Sequence, residues 1–143
     1  MAASGMLDVE TVPSVGGLHH LSLTVTDVDA SEAWYRRVLG LERVMVEHHD
    51  GGYAVVTNRP GTALFVGIHH HDGNNAESFS ETRTGLDHLA FHVADRHELD
   101  RWVDHLDRLG IPHSTITEAN EPFPYALVVF RDPDNIQLEL MWS

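Results

Sequence analysis

The sequence contains the same pattern twice, and this internal repeat constrains the fold more than any other feature. Residues 18–27 (LHHLSLTVTD) align with residues 86–95 (LDHLAFHVAD) at an offset of 68. Two tryptophans, Trp34 and Trp102, match at the same offset. Because these matches keep their order along the chain, they predict two copies of one supersecondary unit.

Each copy begins with a strand and continues with a helix. The aligned opening segments alternate apolar and polar residues, which is typical of a strand with one buried face. Residues 30–38 and 99–106 then carry apolar side chains at helical spacing, which predicts a helix in each copy. Asp29 or Ser31 is expected to cap the first helix. Gly40 is expected to end it, since a helix C-terminus favours a residue in the left-handed conformation.

Turn residues divide the remainder of each copy into further strands. The predicted strands are Glu42–His49, Tyr53–Asn58 and Ala63–His69 in the first copy, and Ser114–Glu118, Tyr125–Phe130 and Ile136–Trp142 in the second. The polar stretch His70–Gly85 is interpreted as a linker. We therefore predict an α+β fold with a single domain, residues 16–143. In it, two βαβββ modules, residues 17–70 and 86–143, form a curved mixed sheet around a shared cleft.

The composition argues against several kinds of chemistry and partner. The chain has no cysteine and no lysine, so it offers no disulfide, thiol nucleophile or Schiff-base amine. The absence of cysteine fits a reducing compartment, and a cytoplasmic location is expected. The formal net charge of −13 argues against a nucleic acid as partner, because the phosphate backbone favours basic surfaces.

Residues 1–15 lack the basic start and the long apolar run of a secretory signal, and they are expected to form a flexible leader. No stretch of the sequence approaches the roughly 18 consecutive apolar residues of a membrane helix. A membrane is therefore not expected as a partner.

Two histidines and a glutamate are the leading candidates for a metal site. His20 and His88 occupy equivalent places in the two opening strands, on the face opposite the apolar residues. If the polar faces of both modules curve around one cleft, these imidazoles are expected to meet there. Glu139 points away from the packed side of the last strand, where a buried carboxylate is costly unless it is paired or coordinated. The three residues together predict a facial set of metal ligands with open coordination positions.

The fourth corner of this predicted site lacks a ligand. The strands that begin at Tyr53 and Tyr125 match at an offset of 72, which makes Gly67 the counterpart of Glu139. Glycine has no side chain that could bind a metal. His69 lies two residues further along the same face and could supply a fourth ligand or a catalytic base. The run His69-His70-His71-Asp72 also suits a solvated turn.

Two further side chains are candidates for proton transfer. His92 lies four residues beyond His88, about 13 Å along the strand, which is too far to bind the same ion. It suits a general acid or base near neutral pH, or simply a polar wall of the cleft. Tyr125 is a weaker candidate of the same kind. His48 and His49 are interpreted as part of a solvated hairpin turn.

The residues singled out so far resemble those of a known family. Residues 20–27 (HLSLTVTD) and 33–41 (AWYRRVLGL) resemble the opening of glyoxalase, bleomycin-resistance and extradiol dioxygenase proteins, the vicinal oxygen chelate superfamily. Residues 132–139 (DPDNIQLE) are similar to that group's closing motif, which ends in the last metal ligand. The resemblance covers residues 17–143. It implies a small-molecule substrate that binds through two oxygens to one divalent metal ion, Fe, Mn, Ni or Zn, held by His20, His88 and Glu139. Members of the group are commonly homodimers, so a homodimer is expected, and the cleft can form either within one chain or between two chains.

The chain departs from each familiar branch of that group. Glyoxalase I carries a fourth ligand at the place of Gly67, and extradiol dioxygenases carry a tyrosine at the place of Val129. Fosfomycin-resistance proteins bind an anion through several basic residues, for which this chain offers only Arg59, Arg83 and Arg131 near the cleft. The reaction therefore stays open among lyase, isomerase and dioxygenase types. A drug-binding protein of the bleomycin-resistance kind, with or without a metal, is the alternative.

Overall fold

The computed structural model describes residues 12–143 and shows two modules with the same order of elements. The first module contains β1 (Leu21–Thr24), α1 (Val28–Leu39), β2 (Glu42–His49), β3 (Gly52–Asn58) and β4 (Phe65–His71). The second contains β5 (Leu89–His92), α2 (Arg96–Arg108), β6 (Thr117–Ala119), β7 (Tyr125–Arg131) and β8 (Gln137–Trp142). The predicted α+β class with two βαβββ modules is confirmed.

Each module has its own four-stranded mixed sheet. The strand orders are β1-β4-β3-β2 and β5-β8-β7-β6, and in each sheet the first strand pairs in parallel with the last. The registers of the two parallel pairs are equivalent, because Ser22 lies opposite Gly67 and Ala90 lies opposite Glu139. Gly67 is therefore the structural counterpart of Glu139, as the repeat predicts.

The first helix begins two residues earlier than the sequence pattern indicates. Asp27 is the N-cap, with an extended backbone and a side-chain oxygen that accepts a hydrogen bond from Ala30 N at 3.0 Å. The expected caps Asp29 and Ser31 are wrong, because the buried Val28 already belongs to the first turn. Gly40 ends the helix at φ 68°, as predicted.

Two loop regions differ in length from the prediction. Strand β4 continues to His71, so the linker starts later, and Phe79 within it packs against the core and donates its N–H to Asp134 O at 2.8 Å. Strand β6 is shorter than the predicted Ser114–Glu118. The reason lies in the contact between Ser114 and Val129. The backbone N–H of Ser114 donates to Val129 O, but the Val129 N–H donates to the Ser114 hydroxyl oxygen, so a side chain takes the place of one backbone ladder bond.

The two modules share one hydrophobic core and are joined by buried and partly buried polar contacts. The hydroxyl of Tyr35 in α1 donates to Asp132 Oδ2 at 2.6 Å, across the boundary between the modules. Thr26, after β1, donates from both its backbone N–H and its hydroxyl to the Asp134 carboxylate at 3.1 and 2.6 Å. The turn between β7 and β8 therefore fixes the position of the first module's helix and opening strand.

One face of each sheet packs against this core, while the other is open. In β1 the buried Leu23 alternates with the exposed Ser22 and Thr24, and the exposed His20 directly precedes the strand. The second module repeats this pattern with exposed Ala90 and His92 in β5 and exposed His88 directly before it. All the predicted metal ligands therefore lie on the sheet faces opposite the core.

Of the predicted leader, residues 1–15, the first eleven lie outside the described residues. Of its described part, Val12 and Val15 are exposed. Neither helix within residues 12–143 is long and apolar enough to cross a membrane.

Candidate metal centre

The second module brings two of the predicted ligands together. His88 Nε2 lies 3.7 Å from Glu139 Oε2, although the two residues are 51 positions apart in the sequence. The parallel pairing of β5 with β8 causes this approach, because Glu139 sits opposite Ala90, two residues beyond His88. The Glu139 side chain is only 12% exposed, and Gln137 Nε2 donates to its other oxygen at 3.2 Å. The carboxylate is therefore oriented with Oε2 toward the imidazole.

Asp87 orients the ring of His88 from the other side. Asp87 Oδ1 lies 2.7 Å from His88 Nδ1, and this hydrogen bond is the largest cause of the raised pKa of His88, with the Glu139 charge adding to it. A carboxylate on one imidazole nitrogen leaves the other nitrogen free to bind a metal, which is the usual arrangement behind a histidine ligand. The sequence signal for this role is the Asp-His pair at residues 87 and 88.

The two proton-transfer candidates of this module lie at different distances from Glu139. His92 is exposed and lies two residues beyond Ala90, so it is about 7 Å along the strand from the Glu139 row. Tyr125 is half-buried at the start of β7, where it packs edge-on against Phe123. It lies four residues, about 13 Å, from Val129, which pairs with Glu139. His92 is therefore the better placed of the two.

The first module lacks a carboxylate at the equivalent position. A Cβ added to Gly67 would lie 2.6 Å from Ser22 Oγ and 3.2 Å from His69 Nε2. The space that a side chain at residue 67 would fill is therefore already taken by the Ser22 hydroxyl and the His69 ring. His69 thus reaches the corner that the sequence pattern leaves without a ligand.

His20 does not join the other two predicted ligands within one chain. In residues 12–143, the only three His, Cys, Asp or Glu side chains whose ligand atoms lie within 4.8 Å of one another are His49, His69 and His71. His20 instead lies against its neighbour, with 2.9 Å between the Nδ1 atoms of His19 and His20. It does share with His88 and His92 the lining of a cavity of about 580 Å³ at the boundary between the modules.

Sequence reasoning missed the cluster of His49, His69 and His71, because it expected His69 alone to lie near the site and interpreted His49 as part of a solvated hairpin turn. His69 Nδ1 lies 3.3 Å from His49 Nε2, and the rings of His69 and His71 are stacked at 5.7 Å. Burial lowers the pKa of His69, and the nearby His49 and His71 lower it further. The signal that could have found the cluster was the alternation of histidines on facing strands separated by the small residues Gly52 and Ala54.

Paired βαβββ modules, each with a four-stranded mixed sheet, define the vicinal oxygen chelate class of fold. A family sequence profile described as the Glyoxalase/Bleomycin resistance protein/Dioxygenase superfamily matches residues 17–140. The chain belongs to this superfamily.

Individual relatives agree with this assignment and differ in their activities. A glyoxylase/bleomycin resistance protein/dioxygenase domain from Frankia sp. EAN1pec is 36% identical, with a TM-score of 0.81 over 91% of this chain and 99% of that one. A putative ring-cleaving dioxygenase, MhqA, from Bacillus subtilis (strain 168) is 27% identical over 89% of this chain and 40% of its own length. A variant of the fosfomycin resistance protein FosX from Listeria monocytogenes, 19% identical with a TM-score of 0.66, shares the fold over 91% of this chain and 94% of its own. That FosX structure contains Mn(II) and 1S,2S-dihydroxypropylphosphonic acid.

Proposed function

We propose that this protein is a divalent-metal-dependent enzyme that acts on a small substrate able to bind the metal through two oxygens. The observation that carries the proposal is the approach of His88 Nε2 to Glu139 Oε2, 3.7 Å apart on an open sheet face. A nearly buried carboxylate beside an imidazole that a second carboxylate orients is a donor set that suits a divalent first-row metal.

His88 and Glu139 would hold this metal together with His20, and Fe, Mn, Ni and Zn are all compatible with imidazole and carboxylate ligands. When bound, such an ion acts as a Lewis acid that stabilises negative charge on a substrate oxygen, or, as iron, takes part in oxygen chemistry. The protein's own part is to orient the ligands. Asp87 fixes the His88 ring, and Gln137 fixes the Glu139 carboxylate.

A second copy of the chain is proposed to supply His20. The ligand faces of both sheets are open in the single chain, and His20 is not at ligand distance from both His88 and Glu139. Strand β2 of the first module also exposes three consecutive apolar residues, Val44, Met45 and Val46, at 56%, 49% and 41%, and its register with Val56 and Gly67 places Met45 on the open face. An open apolar strand next to an incomplete ligand set fits a homodimer in which the modules of two chains face each other.

The remaining polar groups on these faces have proposed roles in moving protons. His92 lies two residues beyond the row of Glu139 and would serve as the general acid or base of the second module. His69, whose Nε2 reaches the corner at Gly67, would act from the first module. Tyr125 lies further away and is proposed only to contact the substrate.

A binding protein for an apolar small molecule is the second candidate, because of the cavity between the modules. This cavity of about 580 Å³ is lined mainly by apolar side chains, including Leu39, Leu64, Phe65, Phe91 and Trp102. A cavity of this size and lining is typical of a ligand pocket. Binding without metal would favour this function over the enzyme.

Metal content separates the two functions. We expect protein purified without chelator to carry a first-row divalent metal, and Glu139→Gln to lose one equivalent per chain in elemental analysis. Glu42→Ala, which removes an exposed carboxylate at the start of β2, is the control and should keep the full metal content. If Glu139→Gln kept the metal content of the unaltered protein, the proposed enzyme site would be wrong.

Mixing two inactive variants tests the role of the second copy. His20→Ala and Glu139→Gln should each lack a complete site, whereas their heterodimer regains one complete site if His20 acts across the dimer. Metal binding in the mixture would then recover, compared with either variant alone. If each site forms within one chain, every site in the mixture stays defective and no recovery is seen.

A further inference from the structure

We propose that His49, His69 and His71 form a second metal site, separate from the one at His88 and Glu139, that binds a late first-row transition metal such as Zn²⁺. The site lies on the open face of the first module's sheet, where β2 and β4 approach each other over β3. It uses only imidazole nitrogens, whereas the proposed enzyme site contains a carboxylate. It takes His69 through Nδ1, which leaves His69 Nε2 at the Gly67 corner for the proton-transfer role proposed above.

The spacing of the ring nitrogens fits a shared ion. Two imidazole nitrogens bound to one tetrahedral Zn²⁺ at 2.0–2.1 Å lie roughly 3.3–3.4 Å apart. His69 Nδ1 and His49 Nε2 are 3.3 Å apart, and the chosen ligand atoms of all three histidines lie within 4.8 Å of one another. The ring centroids are separated by 4.9 to 5.7 Å. Small rotations of the side chains would therefore place three nitrogens around one ion.

The backbone register creates the room for this arrangement. Gly52 of β3 lies between His49 and His71, and Ala54 lies beside His69. A Cβ added to Gly52 would come within 2.8 Å of His49 Cε1, so the absence of a side chain at residue 52 lets the imidazole lie over the strand. Histidines on β2 and β4, which are not adjacent strands, can meet only because β3 places small residues beneath them.

A carboxylate lies beside the three histidines, and the cluster is open on one side. Glu47 lies in the same row as His69, across Ala54, and its negative charge acts on the His69 ring. His49 and His69 are partly buried while His71 is exposed, so the cluster is open on the side of His71. A nitrogen-only site that is open on one side suits a transition metal with a solvent ligand, and it does not suit Mg²⁺ or Ca²⁺, which prefer oxygen ligands.

Zn²⁺ titration of the metal-free protein by calorimetry tests the proposal. We expect His49→Gln/His71→Gln to bind one Zn²⁺ equivalent per chain fewer, or to bind that equivalent with a lower affinity. The affinity should fall by at least roughly 10- to 100-fold, which is the loss that follows removal of even an outer-shell partner. An excess of Mg²⁺ should leave the equivalent in place. Co²⁺ bound to the metal-free protein provides an optical check, since its visible absorption should decrease in the double variant.

The matched control is His48→Gln/His70→Gln. These histidines stand one residue away in the same strands, but they pack against Tyr53 on the opposite face of the sheet. This control should bind as many Zn²⁺ equivalents as the unaltered protein. If it lost the same equivalent as His49→Gln/His71→Gln, or if the latter lost none, the proposed site would be overturned.

Repeating the titration in Glu139→Gln keeps this proposal separate from the proposed enzyme site. The equivalent that depends on His49 and His71 should be present whether or not Glu139 is intact. If it disappeared in Glu139→Gln alone, the histidine cluster would be part of the enzyme site and the proposal of a separate one would be wrong.

Discussion

Tyr35 illustrates how single residues join the two modules. Its ring is fully buried, and its hydroxyl donates to Asp132, whose other oxygen accepts from the backbone N–H groups of Asp134 and Ile136. Burial raises the pKa of Asp132, while these hydrogen bonds oppose that rise. The carboxylate therefore depends on its donors to compensate for its removal from water.

Removing the hydroxyl of Tyr35 should destabilise the fold. Tyr35→Phe keeps the ring in the core but leaves Asp132 Oδ2 without its donor. We expect a loss of about 1.5–3 kcal/mol in the free energy of unfolding, which is typical of a hydrogen bond to a charged group. Urea unfolding followed by circular dichroism measures it. Tyr53→Phe is the control, because Tyr53 has a partly exposed ring, and a change of equal size there would contradict the assignment.

A second residue-scale contact should make stability depend on pH. His113 Nε2 lies 2.6 Å from Asp107 Oδ1, and this hydrogen bond raises the pKa of His113. The stability that the pair contributes is therefore full below the ordinary histidine pKa of about 6.5 and is lost as the pH rises through the higher folded value. Asp107→Asn should lower the free energy of unfolding at about pH 5.5 and have much less effect at about pH 8.5. If the loss of unfolding free energy in Asp107→Asn became larger as the pH rose, this prediction would be wrong.

At the scale of elements, the helix start was the least predictable boundary. Asp27, Asp29 and Ser31 are all residues that cap helices, so the sequence offers three candidates within five positions. Asp27 is the cap because its extended backbone lets its carboxylate reach Ala30 N, while Val28 and Ser31 are buried against the core. The choice depends on packing between elements, which the local pattern does not contain.

Capping variants should distinguish these positions. Asp27→Ala is expected to reduce the free energy of unfolding by about 1 kcal/mol, because Ala30 N loses its side-chain acceptor. Asp29→Ala, in the first turn, should reduce the free energy of unfolding by less than Asp27→Ala does. Thermal unfolding of the two variants side by side gives the comparison. If Asp29→Ala were the more damaging change, Asp27 would not be the cap.

The repeat predicts the helices, the strands and part of the candidate site, but it does not predict which surfaces meet to complete that site. Alternation placed His88 and Glu139 on open faces, and the matching offsets paired Gly67 with Glu139, because strand register follows from local pattern. The pattern does not reveal which faces of the modules meet, because this depends on packing between and beyond the modules. For the same reason the sequence pattern does not predict that His49, His69 and His71 meet, since only the strand order β4-β3-β2 brings them together.

At the scale of the whole molecule, the exposed strand β2 should control self-association. Met45→Glu would place a charge on the face that we propose to be covered by a second copy, where an unpaired carboxylate is costly. We expect dimerisation to weaken by at least roughly tenfold, about 1.4 kcal/mol, in sedimentation analysis. Val12→Glu adds the same charge at an exposed position outside the sheets and should leave association unchanged. Equal effects of the two changes would indicate general charge repulsion instead.

The ties between the modules also bear on how the chain is made. Tyr35 and Asp132 are 97 residues apart, and Thr26 and Asp134 are 108 apart. During synthesis the first module is complete in sequence at His71, yet the acceptors for its Tyr35 and Thr26 do not exist until residues 132 and 134 have been translated. Contacts of such long sequence separation form late and slow the folding of a domain. The first module should therefore remain incompletely folded while the second is synthesised, and the two modules should reach the native structure together.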